Sequence, residues 1–258
     1  MSRLDGHLVV VTRPVAQSAE AVRAIEGLGG RALVLPTIDT VASVDPALDQ
    51  ALQEPDELDL VVVPSAGAFR ALEARAKELR MDLLRFTFAT VGAKSAKVIR
   101  EATGRDPIHP SDAFRGDSLV SSLVERGILS RDRGPRVLLV RAPEGRESLG
   151  AALVEAGAHV REVHPYRIVA ASQAPAAAIE ALASASAITF LSGLALEHFP
   201  RVVGDVAASQ ALRRALVAVI GPVTAAKAAE LNVRVDVMPR EATVEGLIGA
   251  LAQKLASR

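Results

Sequence analysis

The feature that most constrains this chain is an internal repeat whose period is half its length. "DLVVVPSAGAFRALEA", from Asp59, resembles "AITFLSGLALEHF", from Ala187, and sets Ser65 against Ser192, 127 residues later. "ATVGAKSAKVIREA", from Ala89, resembles "VAVIGPVTAAKAAEL", from Val217, and sets Gly92 against Gly221, 129 residues later. "LVVVTRPVAQSAEAVRAIEGLGGRALVLP" resembles "VLLVRAPEGRESLGAALVEAGAHVREVHP", with Pro36 against Pro165, again 129 residues later. In a chain of 258 residues, offsets of this size describe a tandem duplication of a three-unit module.

Each unit reads as a strand followed by a helix. The strand segments, Leu216 to Ile220 among them, are continuous apolar runs without alternation, as expected where both faces of a sheet are covered. Alternation of β and α implies parallel sheets with helical crossovers. One sheet per repeat gives two doubly wound α/β domains, in which ligands bind beyond the carboxyl ends of the strands. That rule puts the turns at Ser65, Gly92, Ser192 and Gly221 at sheet edges, facing a shared cleft.

Composition narrows what such a cleft receives. Aromatic residues make up 3% and tryptophan is absent, so the core is built from Ala, Val, Leu and Ile, and bases would find few platforms to stack on. The balance of 30 basic and 30 acidic residues argues against a general nucleic-acid or membrane-surface binder. Without cysteine there are no disulfides, thiolate nucleophiles or cysteine-ligated metals. The amino-terminal "MSRLDGHLVVVTRP" lacks a signal peptide's apolar stretch, and no apolar run approaches a membrane span, so a cytoplasmic protein is expected. Only five of the 30 basic residues are lysines; the rest are arginines, suited to bidentate carboxylate recognition.

Several motifs lead nowhere. "GLGGRA", residues 27 to 32, has dinucleotide-like spacing but follows a helix and precedes a strand, so it reads as a helix C-terminus. The five histidines have no metal-ligand spacing and form no triad with a serine, which leaves them structural or surface roles. The pairs Asp56/Glu57 and Glu144/Glu147 read as solvated faces. What remains is a set of hydroxyls near helix N-termini after strands: Ser65, Ser95, Ser192 and Thr224. N-capping is the expected role of each. It is compatible with an anionic ligand, which the free N–H groups of a helix start also favour. Pro222 suits the first position of the last such helix.

Taken in order, these segments resemble the uroporphyrinogen-III synthase family, over nearly the whole chain. The most specific part is "VAVIGPVTAAKAAELNVRVDVMPREATVEGLIGAL", similar to the family's strand, Ile-Gly-Pro-x-Thr-Ala turn and helix with a downstream Thr-x-Glu-Gly-Leu helix. "VLLVRAPEGRESLGAALVEAGAHVREVHPYRIV" resembles its central arginine-bearing loop and Val-x-x-Tyr strand, and "VVVTRP" its amino terminus. The chain departs from the pattern at Pro64-Ser65, often Thr-Ser, at Ser192-Gly193, often Ser-Pro or Ser-Ala, and at Ser95, which replaces a threonine.

The resemblance implies two flavodoxin-like α/β domains with parallel sheets, joined by a two-stranded connecting ladder. The first strand–helix unit would join the second half's sheet. Residues 1–38 and 171–258 then form one domain, 44–163 the other, and 39–43 and 164–170 the linkers. "TIDTVASVDP" and "YRIVAASQAP" sit where the crossings fall, both polar, small and proline-terminated.

The activity implied is closure of the linear tetrapyrrole hydroxymethylbilane to uroporphyrinogen III, with inversion of ring D and loss of water. Departure of the hydroxyl leaves an azafulvene, and attack by the substituted carbon of the terminal ring gives a spiro intermediate that fragments and recloses. Closure without inversion occurs unaided, so the enzyme's task is chiefly to hold one conformer. Eight substrate carboxylates would meet helix N-termini and arginines. On the matching positions the substrate-binding residues are Arg13, Ser65, Gly92, Ser95, Arg141, Arg146, Ser192, Gly221 and Thr224. Each arginine is equally well read as solvent-exposed. Tyr166, the single tyrosine, is either the general acid for the departing hydroxyl or a residue packed at the linker. A monomer is expected, with no metal or organic cofactor, no nucleic-acid or membrane partner, and at most a transient contact with the preceding pathway enzyme. Two other readings compete: a non-catalytic two-lobed binding protein for a tetrapyrrole or other polyanion, and a synthase-like regulator. The regulator would be expected to carry a DNA-binding module, for which a chain ending at Arg258 leaves no room.

Overall fold

The apolar runs become the central strands of two parallel sheets. The computed structural model describes residues 3–110, 116–145 and 148–257. It divides the chain into two units, Met1–Asp39 with Val169–Arg258, and Thr40–Ile168.

In unit 1, β1 (Leu8–Val11), β2 (Arg31–Val34), β9 (Ala187–Phe190) and β10 (Leu216–Val219) lie in the order β10-β9-β1-β2, all parallel. Val237 adds an isolated parallel bridge to Ala218. Counting that bridge as a fifth strand, the order along the chain is 2-1-3-4-5, the flavodoxin-like arrangement. β1 pairs on one side with β2, its near neighbour, and on the other with β9, where Val9 faces Ala187. Helices α7 (Ala176–Leu182), α8 (Gly193–Val203), α9 (Asp205–Arg214) and α10 (Pro222–Glu230) cover one face, packing on Val10, Ile188, Phe190, Val217 and Val219. The other face, with Val9, Val11, Leu216 and Ala218, is covered by α1 (Ala19–Gly27) and α11 (Val244–Ala256). Both faces are apolar, which is why these strands show no alternation.

Unit 2 repeats the plan in a permuted order. β4 (Leu60–Val62), β5 (Phe88–Ala89), β6 (Arg136–Val140) and β7 (His159–Val163) are parallel in the order β5-β4-β6-β7, with an isolated bridge from Ala89 to Ile108. Helices α2 (Pro46–Gln53), α3 (Ala66–Glu78) and α4 (Ala93–Thr103) pack on Val61, Val63, Leu138 and Val140. Helices α5 (Gly116–Glu125) and α6 (Ser148–Glu155) pack on Leu60, Val62, Val137 and Leu139. β6, α6 and β7 correspond to β1, α1 and β2, but follow the rest of their sheet instead of preceding it. The units are therefore circular permutations of one another. The remaining strands, β3 (Ile38–Ala42) and β8 (Tyr166–Ala170), form a two-stranded antiparallel sheet.

"GLGGRA" ends a helix, as its position suggested. α1 stops at Gly27 and Gly29 takes φ +83°, a left-handed conformation that glycine adopts without strain.

Candidate active site

The turns at the carboxyl ends of the strands carry nearly all the residues singled out in the sequence. In unit 1 these are Arg13 after β1, Ser192 after β9, and Gly221 and Thr224 after β10. In unit 2 they are Ser65 after β4, Gly92 and Ser95 after β5, and Arg141 after β6. Arg146 lies outside the described residues.

Two of the four hydroxyls cap helices and two do not. Ser65 and Ser192 have extended backbones and accept from the N–H groups of Ala68 (3.1 Å) and Ala195 (3.2 Å). Ser95 and Thr224 depart from the capping expectation. The caps of α4 and α10 are Gly92 and Gly221, neither with a side-chain bond, so both hydroxyls fall three residues later, inside the first turn. Gly221 is fully extended at φ 179°, a conformation open to any residue. A Cβ there would make ordinary contact with Ala242, so the protein itself does not demand glycine.

Ser95 and Thr224 are also set apart energetically. Both are buried. The other buried hydroxyls each donate to a carbonyl: Thr12 to Thr189, Thr37 to Ala195, Thr90 to Val63, Thr103 to Ile99, Thr189 to Val10 and Ser18 to Pro14. Ser95 and Thr224 have no such bond among the described residues. Their oxygens are not sealed from solvent either, because among the described residues the one sealed side-chain nitrogen or oxygen without a partner is His198 Nδ1. Buried polar groups are normally satisfied, so a repeat-related pair of unused hydroxyls at helix starts is a pair of donors left for something else.

The arginines separate as well. Arg13 donates to Gln17 Oε1 at 2.9 Å, and no carboxylate among the described residues is within ion-pair distance of it. Burial lowers its pKa, with Glu20 opposing that shift, so its charge is poorly compensated inside the protein. An incoming carboxylate would relieve that. Arg141 is different. It is buried and its Nε donates to Glu162 Oε2 at 2.8 Å, so it is engaged within unit 2 and is not a free carboxylate clamp.

Tyr166 is buried in the core of unit 2. Burial pushes the phenol above its ordinary pKa, while the Ser65 side chain and the Ala142 backbone pull it back. Its hydroxyl is thus placed over the β4 and β6 turns, beside the Ser65 cap. No group of three or more His, Asp or Glu side chains among the described residues is arranged to hold a metal ion. No helix among them is long and apolar enough to cross a membrane. A groove of about 510 Å³ over α8 and α9, floored by Leu196, Pro200 and Leu212, contains none of the candidate residues.

A family model described as "Uroporphyrinogen-III synthase HemD" matches residues 19–249. The chain belongs to the uroporphyrinogen-III synthase family. The synthase of Synechococcus elongatus is 30% identical over 97% of this chain and 96% of its own. A Methanothermobacter thermautotrophicus relative, provisionally named as the same synthase, is 34% identical over 95% of this chain and 97% of its own. The fold matches the mutant synthase of Thermus thermophilus with TM-score 0.64, at 20% identity, over 98% of this chain and all of that one. It matches the Helicobacter pylori synthetase with TM-score 0.60, at 16% identity, over 98% and 99% of the two chains.

Against that synthase background two features stand out that the sequence did not reveal. Gly193 stands where the family often carries proline or alanine. A Cβ there would lie 2.9 Å from Lys227 Cβ, so its glycine lets α8 and α10 close together. Glu144 is not a solvated acid. Its side chain is only 20% exposed, and it accepts from Arg167 Nε at 3.1 Å and from the Ile168 N–H at 3.0 Å. The partners are more than twenty residues away in sequence, and no local signal connects them. Asp56 and Glu57, by contrast, are exposed, as their reading as solvated residues requires.

Proposed function

We propose that this chain cyclises hydroxymethylbilane to uroporphyrinogen III with inversion of ring D and loss of water. The observation that carries the reading is membership of the synthase family across residues 19–249. The geometry supplies a means. Helix starts at Ser65, Gly92, Ser192 and Gly221 offer N–H groups and partial positive charge to substrate carboxylates. Ser95 and Thr224 add hydroxyl donors that the protein does not use, and Arg13 adds a cation without an internal counter-ion. Arg141 contributes indirectly, by holding the loop that carries it.

Tyr166 is read as the general acid. Its raised pKa keeps the proton on the phenol at neutral pH, where it is needed. Transfer of that proton to the substrate hydroxyl lets the C–O bond break and water leave, and the electron pair of the adjoining pyrrole forms the azafulvene. Water returning the proton after product release regenerates the phenol. Positioning then selects attack by the substituted carbon of the terminal ring over direct closure. The protein is read as a cytoplasmic monomer that acts without metal or organic cofactor.

The test is incubation with enzymatically generated hydroxymethylbilane, followed by resolution of the I and III isomers. Isomer III in excess is expected. A product distribution equal to the spontaneous one would leave the chain as a binding protein.

A further inference from the structure

We propose that Glu144 is the positioning residue for Tyr166: its carboxylate ties the two residues after the tyrosine to the β6–α6 turn and so fixes where the phenol stands. The proposal rests on the reading of Tyr166 as proton donor. Glu144 Oε1 accepts from Arg167 Nε at 3.1 Å, and Oε2 accepts from the Ile168 N–H at 3.0 Å. One carboxylate thus holds one side chain and one backbone amide immediately downstream of Tyr166. The upstream side is held separately. The His164 N–H donates to Asp45 Oδ2 at 2.6 Å, the His164 ring bonds the Arg141 carbonyl at 3.0 Å, and the Ser43 N–H donates to the Pro165 carbonyl at 2.8 Å. Tyr166 therefore lies between two anchored points, and Glu144 makes the downstream one.

The turn that presents Glu144 is itself tightly built. The Gly145 N–H donates to the Ala142 carbonyl at 3.0 Å. A Cβ on Gly145 would sit 3.0 Å from that carbonyl and 3.3 Å from Arg141 Nη1, closer than side chains normally approach. The same turn places the Ala142 backbone beside the phenol, so the support of Glu144 and the environment of the Tyr166 hydroxyl are one short segment.

Charge adds a second consequence. The charged groups acting on the phenol are Glu144, which raises its pKa, and Arg141, which lowers it. Arg141 is occupied by Glu162 and stays in place when Glu144 is changed. Neutralising Glu144 should therefore let the phenol ionise at lower pH. That change can be read directly, because the chain has one tyrosine and no tryptophan and the phenolate absorbance reports Tyr166 alone.

The experiment compares Glu144→Ala and Glu144→Gln in the full chain, each with Tyr166 intact and with Tyr166→Phe. Glutamine retains an oxygen for the Ile168 N–H but loses the ion pair, so it keeps the test valid if alanine compromises folding. Expected are a kcat for isomer III lowered by about 10- to 100-fold in Glu144→Ala, as for a misplaced catalytic group, with KM changed less than about threefold. Glu144→Gln should lose less, and its phenol should titrate at lower pH than the wild type. In the Tyr166→Phe background neither change should cost further activity. The proposal is overturned by an equal loss of kcat in that background, or by phenol titrations that superimpose. If the wild-type chain forms no excess of isomer III, the functional reading fails, and the absorbance titration alone still decides whether Glu144 governs the phenol.

Discussion

Thr224→Val separates stability from binding. Threonine and valine are nearly isosteric and both β-branched, so the volume at this buried position and its rotamer are retained. The structure denies the hydroxyl a capping role, since Gly221 is the cap and the Thr224 hydroxyl has no partner among the described residues. A change in stability well below that of a lost cap is therefore expected. Thr243 provides the reference within unit 1: its hydroxyl accepts from the Gly246 N–H at 3.0 Å, and Thr243→Ala should cost about 1 kcal/mol. For a unit of this size that is a fall in Tm of roughly 3–5 °C. Thr224→Val should shift Tm by less than about half as much. Binding should behave oppositely. If the hydroxyl donates to a substrate carboxylate, one charge-assisted bond worth about 1.5–3 kcal/mol is lost. At about 1.36 kcal/mol per tenfold, kcat/KM should drop by about 10- to 150-fold. Thermal melts and isomer-resolved rates on the same preparations give both numbers. A Tm loss equal to that of Thr243→Ala with unchanged kcat/KM would refute the reasoning and return Thr224 to a purely structural role.

Tyr166→Phe should lower kcat by about 10²-fold without unfolding the protein, and the alkaline limb of the wild-type kcat–pH profile should lie above the ordinary tyrosine range, as a raised phenol pKa requires; near-normal turnover in the variant assigns Tyr166 to packing. Gly221→Val should keep its Tm, since the backbone is extended and the site roomy, yet raise KM by crowding the ligand's approach; a large stability loss with normal KM would contradict this. Arg141→Met should destabilise unit 2 by about 1–3 kcal/mol, because Glu162 loses its partner in a partly buried pair, while KM stays within a few-fold. A tenfold rise in KM at unchanged stability would make Arg141 a direct ligand of the substrate after all.

Much of the fold was legible because both sheets are covered on both faces. Leu216–Val219 and Leu60–Val62 are apolar at every position, and such runs between turn residues mark central strands locally. The exchange of β1 and β2 into the sheet of β9 and β10 was not legible from the repeat. A duplicated module looks the same whichever half its first strand joins, and the choice depends on pairing between residues far apart. The non-capping place of Thr224 was within reach of the sequence. Pro222 at the first helical position makes Gly221 the cap, which leaves Thr224 inside the first turn. Arg141 and Glu144 were beyond reach, because their roles are set by Glu162 and by Arg167 and Ile168, neighbours in space supplied by the β7 and β8 strands.

The permuted order of unit 1 bears on how the chain emerges from the ribosome. Unit 2 occupies a continuous stretch and can assemble its whole sheet once β7 is made. β1 cannot. Its partner β9 begins 178 residues after Val9, which at about 5–20 residues per second is a delay of roughly 10–35 s. Through that interval the Leu8–Val11 strand presents an unpaired apolar edge, an aggregation hazard that a chaperone would be needed to cover. The half that is synthesised first is thus the half that folds last, and slowing translation after β2 should lower soluble yield more than slowing it after β9.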